Sequence, residues 1–116
     1  MQNENCIFCK IAAGQMESDI VFRDDLITAF RDISPAAPVH ILIIPNEHIP
    51  NNNALGSDKG EIAARMLTAA PELAQKEGID ESGYRLIMNS GSDGRQEVEH
   101  AHLHLLGGQR MQHPVG

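Results

Sequence analysis

The chain has 116 residues, with 9 basic against 16 acidic side chains for a formal net charge of −7, and 41% of its residues are apolar. That length makes one domain, residues 1–116, with enough chain to bury a core without a disulfide framework. The acidic balance excludes a long nucleic-acid partner, because a polyphosphate needs a basic footprint. Three Phe, one Tyr and no Trp provide no stacking platform for single strands. A small phosphate ligand stays open, since it needs only local donors. No run approaches the ~20 apolar residues that cross a bilayer, so no membrane partner is expected. Residues 1–5 carry neither a basic nor an apolar leader region, so no signal peptide is expected and the expected compartment is the cytoplasm.

In chain order, residues 6–13 (CIFCKIAA) read as a short helix stopped by Gly14. Ile20–Arg23 and Ile27–Asp32 read as two strands of a hairpin turning at Asp24-Asp25. Ser34-Pro35-Ala36-Ala37-Pro38 breaks the chain. His40–Ile44 then forms a third strand, whose four-residue apolar run suits burial, and Pro45 ends it. Asn51–Ser57 is a polar loop. The main helix follows, with Asp58 and Glu61 placed as a capping box, Gly78 as its stop, and Ile62, Met66, Ala69, Ala70 and Leu73 at helical spacing. Pro71 inside it predicts a kink. Tyr84–Asn89 reads as a fourth strand and Val98–Leu106 as a fifth. Five strands, mostly joined by short turns, with one main helix make an α+β fold: an antiparallel sheet with helices segregated from it.

Two clusters carry chemistry. Cys6 and Cys9 are separated by two residues. A redox pair of this spacing normally follows a strand in a βαβ unit, which this chain lacks here. An iron–sulfur cluster wants four cysteines and only two exist. A zinc site needs two further ligands, and histidines are plentiful. Two ordinary buried thiols are the bland alternative. The second cluster is His100-Ala101-His102-Leu103-His104. On a strand, period two sets all three imidazoles on one face, ~6.5–7 Å apart. Either a metal held by the imidazoles or nucleophilic catalysis by one of them fits that spacing. The Gly-rich turn Asn89-Ser90-Gly91-Ser92-Asp93-Gly94 just upstream can present backbone N–H groups to an oxyanion.

His100-Ala101-His102-Leu103-His104-Leu105-Leu106 resembles the signature of the histidine triad family. Cys6–Ile11, Phe30–Pro35, Pro38–Pro45, Gly83–Asn89, Gly91–Gly94 and the tail Gly107-Gly108-Gln109-Arg110-Met111 also resemble family segments, closest to its nucleotide-binding branch. The resemblance implies a homodimer whose sheets join across a two-fold axis. It also implies hydrolysis or transfer at the α-phosphorus of a purine nucleotide. A nucleoside 5'-phosphoramidate is the implied substrate, with a dinucleoside polyphosphate, or a zinc-stabilised binding module of little turnover, as the alternatives. Carried onto this chain, His102 is the nucleophile, His104 donates to the α-phosphoryl oxygens, and His40 orients the active imidazole. Asp32 takes the ribose hydroxyls, Phe8 and Ile33 line the base pocket, and Asn89 with the Gln96/Glu97 backbone holds phosphate or leaving group. Where the Cys pair is kept, the resemblance implies a structural zinc on Cys6, Cys9, His48 and His100. Four departures stand out. Glu99 stands where the residue before the first triad histidine is often aromatic. Glu97 occupies the place of a serine that donates to the leaving group, Arg95 that of a frequent glycine, and His113 that of a tail Trp.

Overall fold

The computed structural model describes residues 5–115. A short helix α1 (Ile7–Ala12) precedes the hairpin β1 (Ile20–Arg23) and β2 (Ile27–Arg31), then β3 (Val39–Pro45), helix α2 (Gly60–Lys76), β4 (Tyr84–Ile87) and β5 (Leu103–Gly107). All strand pairs are antiparallel in the order β1-β2-β3-β5-β4, so β5 inserts between β3 and β4. The α+β class with five strands and one main helix is as expected.

The hairpin turns where two acidic residues were expected to turn it. Asp24 Oδ1 accepts from the Leu26 and Ile27 N–H groups at 2.9 Å each, so the side chain supplies the turn's missing acceptor. The sheet is covered on both faces, which explains the unbroken apolar run of β3. Ile41 and Ile43 point with Ile27, Ala29, Leu103 and Leu105 into a core closed by Met66, Ala69, Ala70 and Leu73 of α2. Leu42 and Ile44 point the other way, with Phe30, against Phe8, Cys9 and Ile11 of α1. The α1 face carries the chemistry: His104 stands opposite Leu42 and His40 opposite Leu106.

Several boundaries differ from expectation. The fifth strand begins at Leu103, not Val98, because the preceding backbone finds other partners. The Ala101 N–H donates to Ile49 O at 2.6 Å and the His100 N–H to Val98 O at 2.8 Å. His100 and His102 therefore precede the strand, and only His104 lies on it. β4 stops at Ile87, opposite His104, one residue past the start of β5, its partner among the described strands. The expected capping box does not form. Asp58 lies in a 3₁₀ turn, Ser57–Lys59, and Lys59 caps α2 with no side-chain bond. The Lys59 ammonium instead pairs with Glu47 at 2.6 Å. Helix α2 runs unbroken through Pro71. The donor that Pro71 lacks would have met the carbonyl of Leu67, one turn back on the same exposed side, where that carbonyl is open to solvent rather than buried.

Candidate active site

Imidazoles from two strands and from the segment before β5 converge beside α1. His40 of β3 and His104 of β5 are diagonal neighbours on one face of the sheet, with ring centroids 5.2 Å apart. His102 stacks edge-on to His104 at 5.0 Å and to Phe8 at 5.1 Å. Phe8 also touches His100 at 5.9 Å, so one aromatic ring separates two sites of different character.

The first is an open cavity of about 300 Å³. His40, His102 and His104 line it, with Asp32 and Ser34 from the end of β2, Leu42 of β3, Phe8 of α1, and Asn89, Arg95, Glu97 and Val98 from the β4–β5 connection. Backbone groups decide where the protons sit. The Ala36 N–H donates to His40 Nδ1 at 3.0 Å, which puts the proton of neutral His40 on Nε2. That Nε2 lies 2.9 Å from His104 Nδ1, so it donates there, and His104 carries its own proton on Nε2. His102 Nδ1 lies 2.7 Å from the His100 carbonyl and must donate to it, which leaves its Nε2 lone pair free. The cavity is thus lined by one imidazole that can attack and one that can donate. Burial, reinforced by neighbouring His102 and His40 and opposed by Asp32, pushes the His104 pKa down to about 4. Burial also lowers that of His40, against the pull of Asp32. Both are neutral near pH 7, as the donor chain requires.

The carboxylate of Asp32 is divided between two tasks. Oδ1 accepts from the Ser34 N–H at 2.8 Å, closing the turn after β2, and Oδ2 lies 3.5 Å from His40 Nε2. The turn after β4 is closed by the Arg95 N–H on Ser92 O and the Gln96 N–H on Gly91 O. Gly94 is required within it, since a Cβ there would lie 2.8 Å from the Ser90 carbonyl oxygen. The Gln96 side chain accepts from the Gly91 N–H and donates to Pro50 O and Val98 O.

The second site is closed. His100 is fully buried and Cys9 2% exposed. Cys6 Sγ lies 3.3 Å from His100 Nδ1, and Cys9 Sγ lies 3.2 Å from His48 Nδ1 and 3.5 Å from His100 Nδ1. Ligand atoms of Cys6, Cys9, His48 and His100 all fall within 4.8 Å of one another, so this group can hold a metal ion. The donors fit one. His100 Nε2 donates to Pro45 O at 2.8 Å, leaving the Nδ1 lone pair turned toward the sulfurs. The Cys9 N–H donates to Cys6 Sγ at 3.4 Å, so the sulfur caps the start of α1. Neither cysteine is in a disulfide.

Of the expected site residues, His40, His102, His104, Asp32, Phe8, Asn89 and Glu97 meet at the cavity, and Cys6, Cys9, His48 and His100 meet beside it. Ile33 does not join them. It is 94% exposed, because Asp32 turns inward to His40 and its neighbour turns out. Gln96 braces the loop rather than lining the cavity, and its backbone N–H is already committed to Gly91. A metal held by the three alternating imidazoles is not formed, since His100, His102 and His104 each turn Nδ1 to a different partner. Asp32, His40 and His104 also bring ligand atoms within 4.8 Å, but there the two imidazoles are already hydrogen-bonded to each other. Sequence reasoning noted Arg95 only as a departure and did not place Ser34, Leu42 or Val98 at the site. Period-two alternation from His40 would have found Leu42.

A family model described as the HIT domain matches residues 13–111. A purine nucleoside phosphoramidase from Escherichia coli K12 is 56% identical over 108 residues, which cover 93% of this chain and 91% of that protein. An uncharacterized HIT-like protein of Buchnera aphidicola is 47% identical over 105 residues, 90% of this chain and 94% of its own. The crystal structure of a HIT family hydrolase from Legionella pneumophila superposes with a TM-score of 0.93 at 54% identity, covering 97% of this chain and all of that one. A histidine triad protein from Clostridium difficile superposes at 0.94 with 39% identity, covering 97% and 98% of the two chains. The converging imidazoles, the five-stranded sheet and these likenesses agree: the chain belongs to the HIT family.

Proposed function

We propose that the protein is a purine nucleoside phosphoramidase, hydrolysing nucleoside 5'-phosphoramidates at the α-phosphorus. The observation that carries this reading is the fixed tautomer of His102: its Nδ1 is spent on the His100 carbonyl, so its Nε2 offers a lone pair in the cavity. That Nε2 attacks the α-phosphorus. The new phosphorus–nitrogen bond forms as the bond to the leaving amine breaks, and the amine departs with its electron pair and takes a proton from water. A water then cleaves the nucleotidyl-histidine bond, releasing the nucleoside monophosphate and restoring the imidazole. His104 Nε2–H donates to the α-phosphoryl oxygens as their charge grows. His40 holds His104 in that tautomer. Asp32 accepts from the ribose hydroxyls, Phe8 borders the base, and Asn89 and Glu97 face the phosphate and the departing group.

The Cys6, Cys9, His48 and His100 group holds a structural zinc in this reading. Two thiolates and two imidazoles are the usual tetrahedral donors, and with all four positions filled by protein the metal's contribution is to clip α1, the loop after β3 and the approach to β5 together. Two reduced cysteines suit the cytoplasm. No helix among the described residues is long and apolar enough to cross a membrane. We further propose a homodimer joined through the edge of the sheet, where β4 has no second neighbour and Leu67 is exposed beside it. Sedimentation at micromolar protein then gives twice 12.7 kDa. A monomer would overturn the dimer.

The deciding experiment incubates the protein with adenosine 5'-phosphoramidate and follows AMP release, with an alkaline quench to trap labelled nucleotide on the chain. Release together with a label on His102 is the expected result. Nucleotide binding with neither release nor label would make the protein a binding module instead.

A further inference from the structure

Arg95 has φ +63°, and it is the one non-glycine residue with positive φ among the described residues. A long side chain is strained in that region, and such strain persists only where the surroundings over-determine the backbone. They do so here. Arg95 N–H is held by Ser92 O and the next N–H by Gly91 O, and the Gln96 side chain ties the turn to Pro50 and Val98. That turn sets Arg95 among the residues that line the cavity. Arg95 is the sole Arg or Lys among the lining residues, and its side chain makes no hydrogen bond or ion pair to any described residue. Arg23, Arg31, Arg65 and Arg85 all spend theirs on protein acceptors. Glu97 lines the same cavity and forms no ion pair with Arg95.

Its place in the cavity indicates what it binds. Asp32 and His40 come from the β2–β3 side, and the phosphoramidase reading gives that side to the ribose. Arg95, Asn89 and Glu97 come from the β4–β5 connection, on the side left for the group that departs from phosphorus. We propose, resting on that reading, that Arg95 is a specificity-determining residue. Its guanidinium binds a carboxylate or a phosphate-like anion carried on the leaving amine, and so favours such substrates over neutral ones.

The test compares three adenosine 5'-phosphoramidates whose leaving amines are glycine, aminomethylphosphonate and glycinamide. The first two carry an anion; the third is the neutral isostere of the first. The quantity read is the ratio of kcat/KM for each anionic substrate over glycinamide. In wild type it exceeds one by about tenfold for at least one anion, the size a charge-assisted hydrogen bond supports. The anion preferred identifies the chemistry bound. In Arg95→Gly the ratio falls to near one, in Arg95→Lys it is partly kept, and in wild type it shrinks with added salt. Glycine adopts φ +63° freely, so Arg95→Gly is expected to fold, and a melting curve verifies it. A wild-type ratio near one, or a ratio unchanged in Arg95→Gly, overturns the proposal. Absence of turnover on all three substrates fails the phosphoramidase reading itself, and the proposal with it.

Discussion

His100 and His104 are four residues apart, yet they face opposite kinds of site. His100 sits fully buried, its Nε2 spent on Pro45 O and its Nδ1 turned to two sulfurs. His104 lines an open cavity, its Nδ1 spent on His40 and its remaining N–H free for a ligand. Between them His102 keeps its second nitrogen free by bonding the His100 carbonyl. In the proposed reading the same side chain serves as a metal ligand, a nucleophile or a donor according to which backbone or imidazole partner takes its other nitrogen. Access completes the difference: a group closed by four protein donors can stabilise but does no chemistry, whereas a cavity with a free lone pair can react.

Breaking the cavity should have the largest effect on rate and little on the metal. His102→Ala is expected to lower turnover by roughly 10⁴-fold or more and to abolish the alkali-stable label, with zinc content unchanged by elemental analysis. Residual turnover near wild type would mean that another group attacks. His104→Ala removes a donor rather than the nucleophile, so kcat should drop by about 10²–10³-fold while labelling of His102 persists. A loss confined to KM would instead make His104 a ground-state binding residue.

Breaking the closed cluster should do the reverse. Wild type is expected to hold about one zinc per chain by elemental analysis, and Cys9→Ser to lose it and to lower unfolding free energy by about 3 kcal/mol or more in urea titrations. Turnover of the fraction that remains folded should stay within about threefold. If wild-type protein purified without chelator holds no zinc and binds none, the cluster is a pair of ordinary buried thiols beside two histidines.

A smaller effect sharpens the comparison through pH. The folded-state pKa of His104 is about 4 against an ordinary 6.5, so between those values the unfolded chain binds a proton that the folded chain refuses. Stability is therefore full above about pH 6.5 and falls as pH drops toward 4, by at most about 3 kcal/mol from this group. His104→Gln should flatten that part of the stability–pH curve, measured by urea midpoints. An unchanged slope would assign the acid sensitivity elsewhere.

Much of this was legible from local pattern. The Asp24-Asp25 turn, the apolar run of β3 and the helical spacing of Met66, Ala69, Ala70 and Leu73 are short-range signals, and each appears where it was expected. Cys6-x-x-Cys9 and the three alternating histidines announced two chemistries by residue type and spacing, and the resemblance to the histidine triad family divided the histidines between them. What failed was the extrapolation of strand periodicity back to Val98. The inward residues from His100 to His104 come together although two of the three histidines are not on a strand, because Ala101 pairs with Ile49 instead of with a neighbouring strand.

Sequence alone thus determined which elements form, which faces are apolar and which residue types are available for metal and phosphorus chemistry, since all of these follow from local spacing. Only the tertiary structure decided which nitrogen of each imidazole is free, because that depends on partners far along the chain: Pro45 for His100 and His40 for His104. Likewise, only it decided that Ile33 faces solvent, that Gln96 braces a loop, and that the one guanidinium in the cavity is Arg95, held there by a turn whose geometry no local propensity favours for arginine.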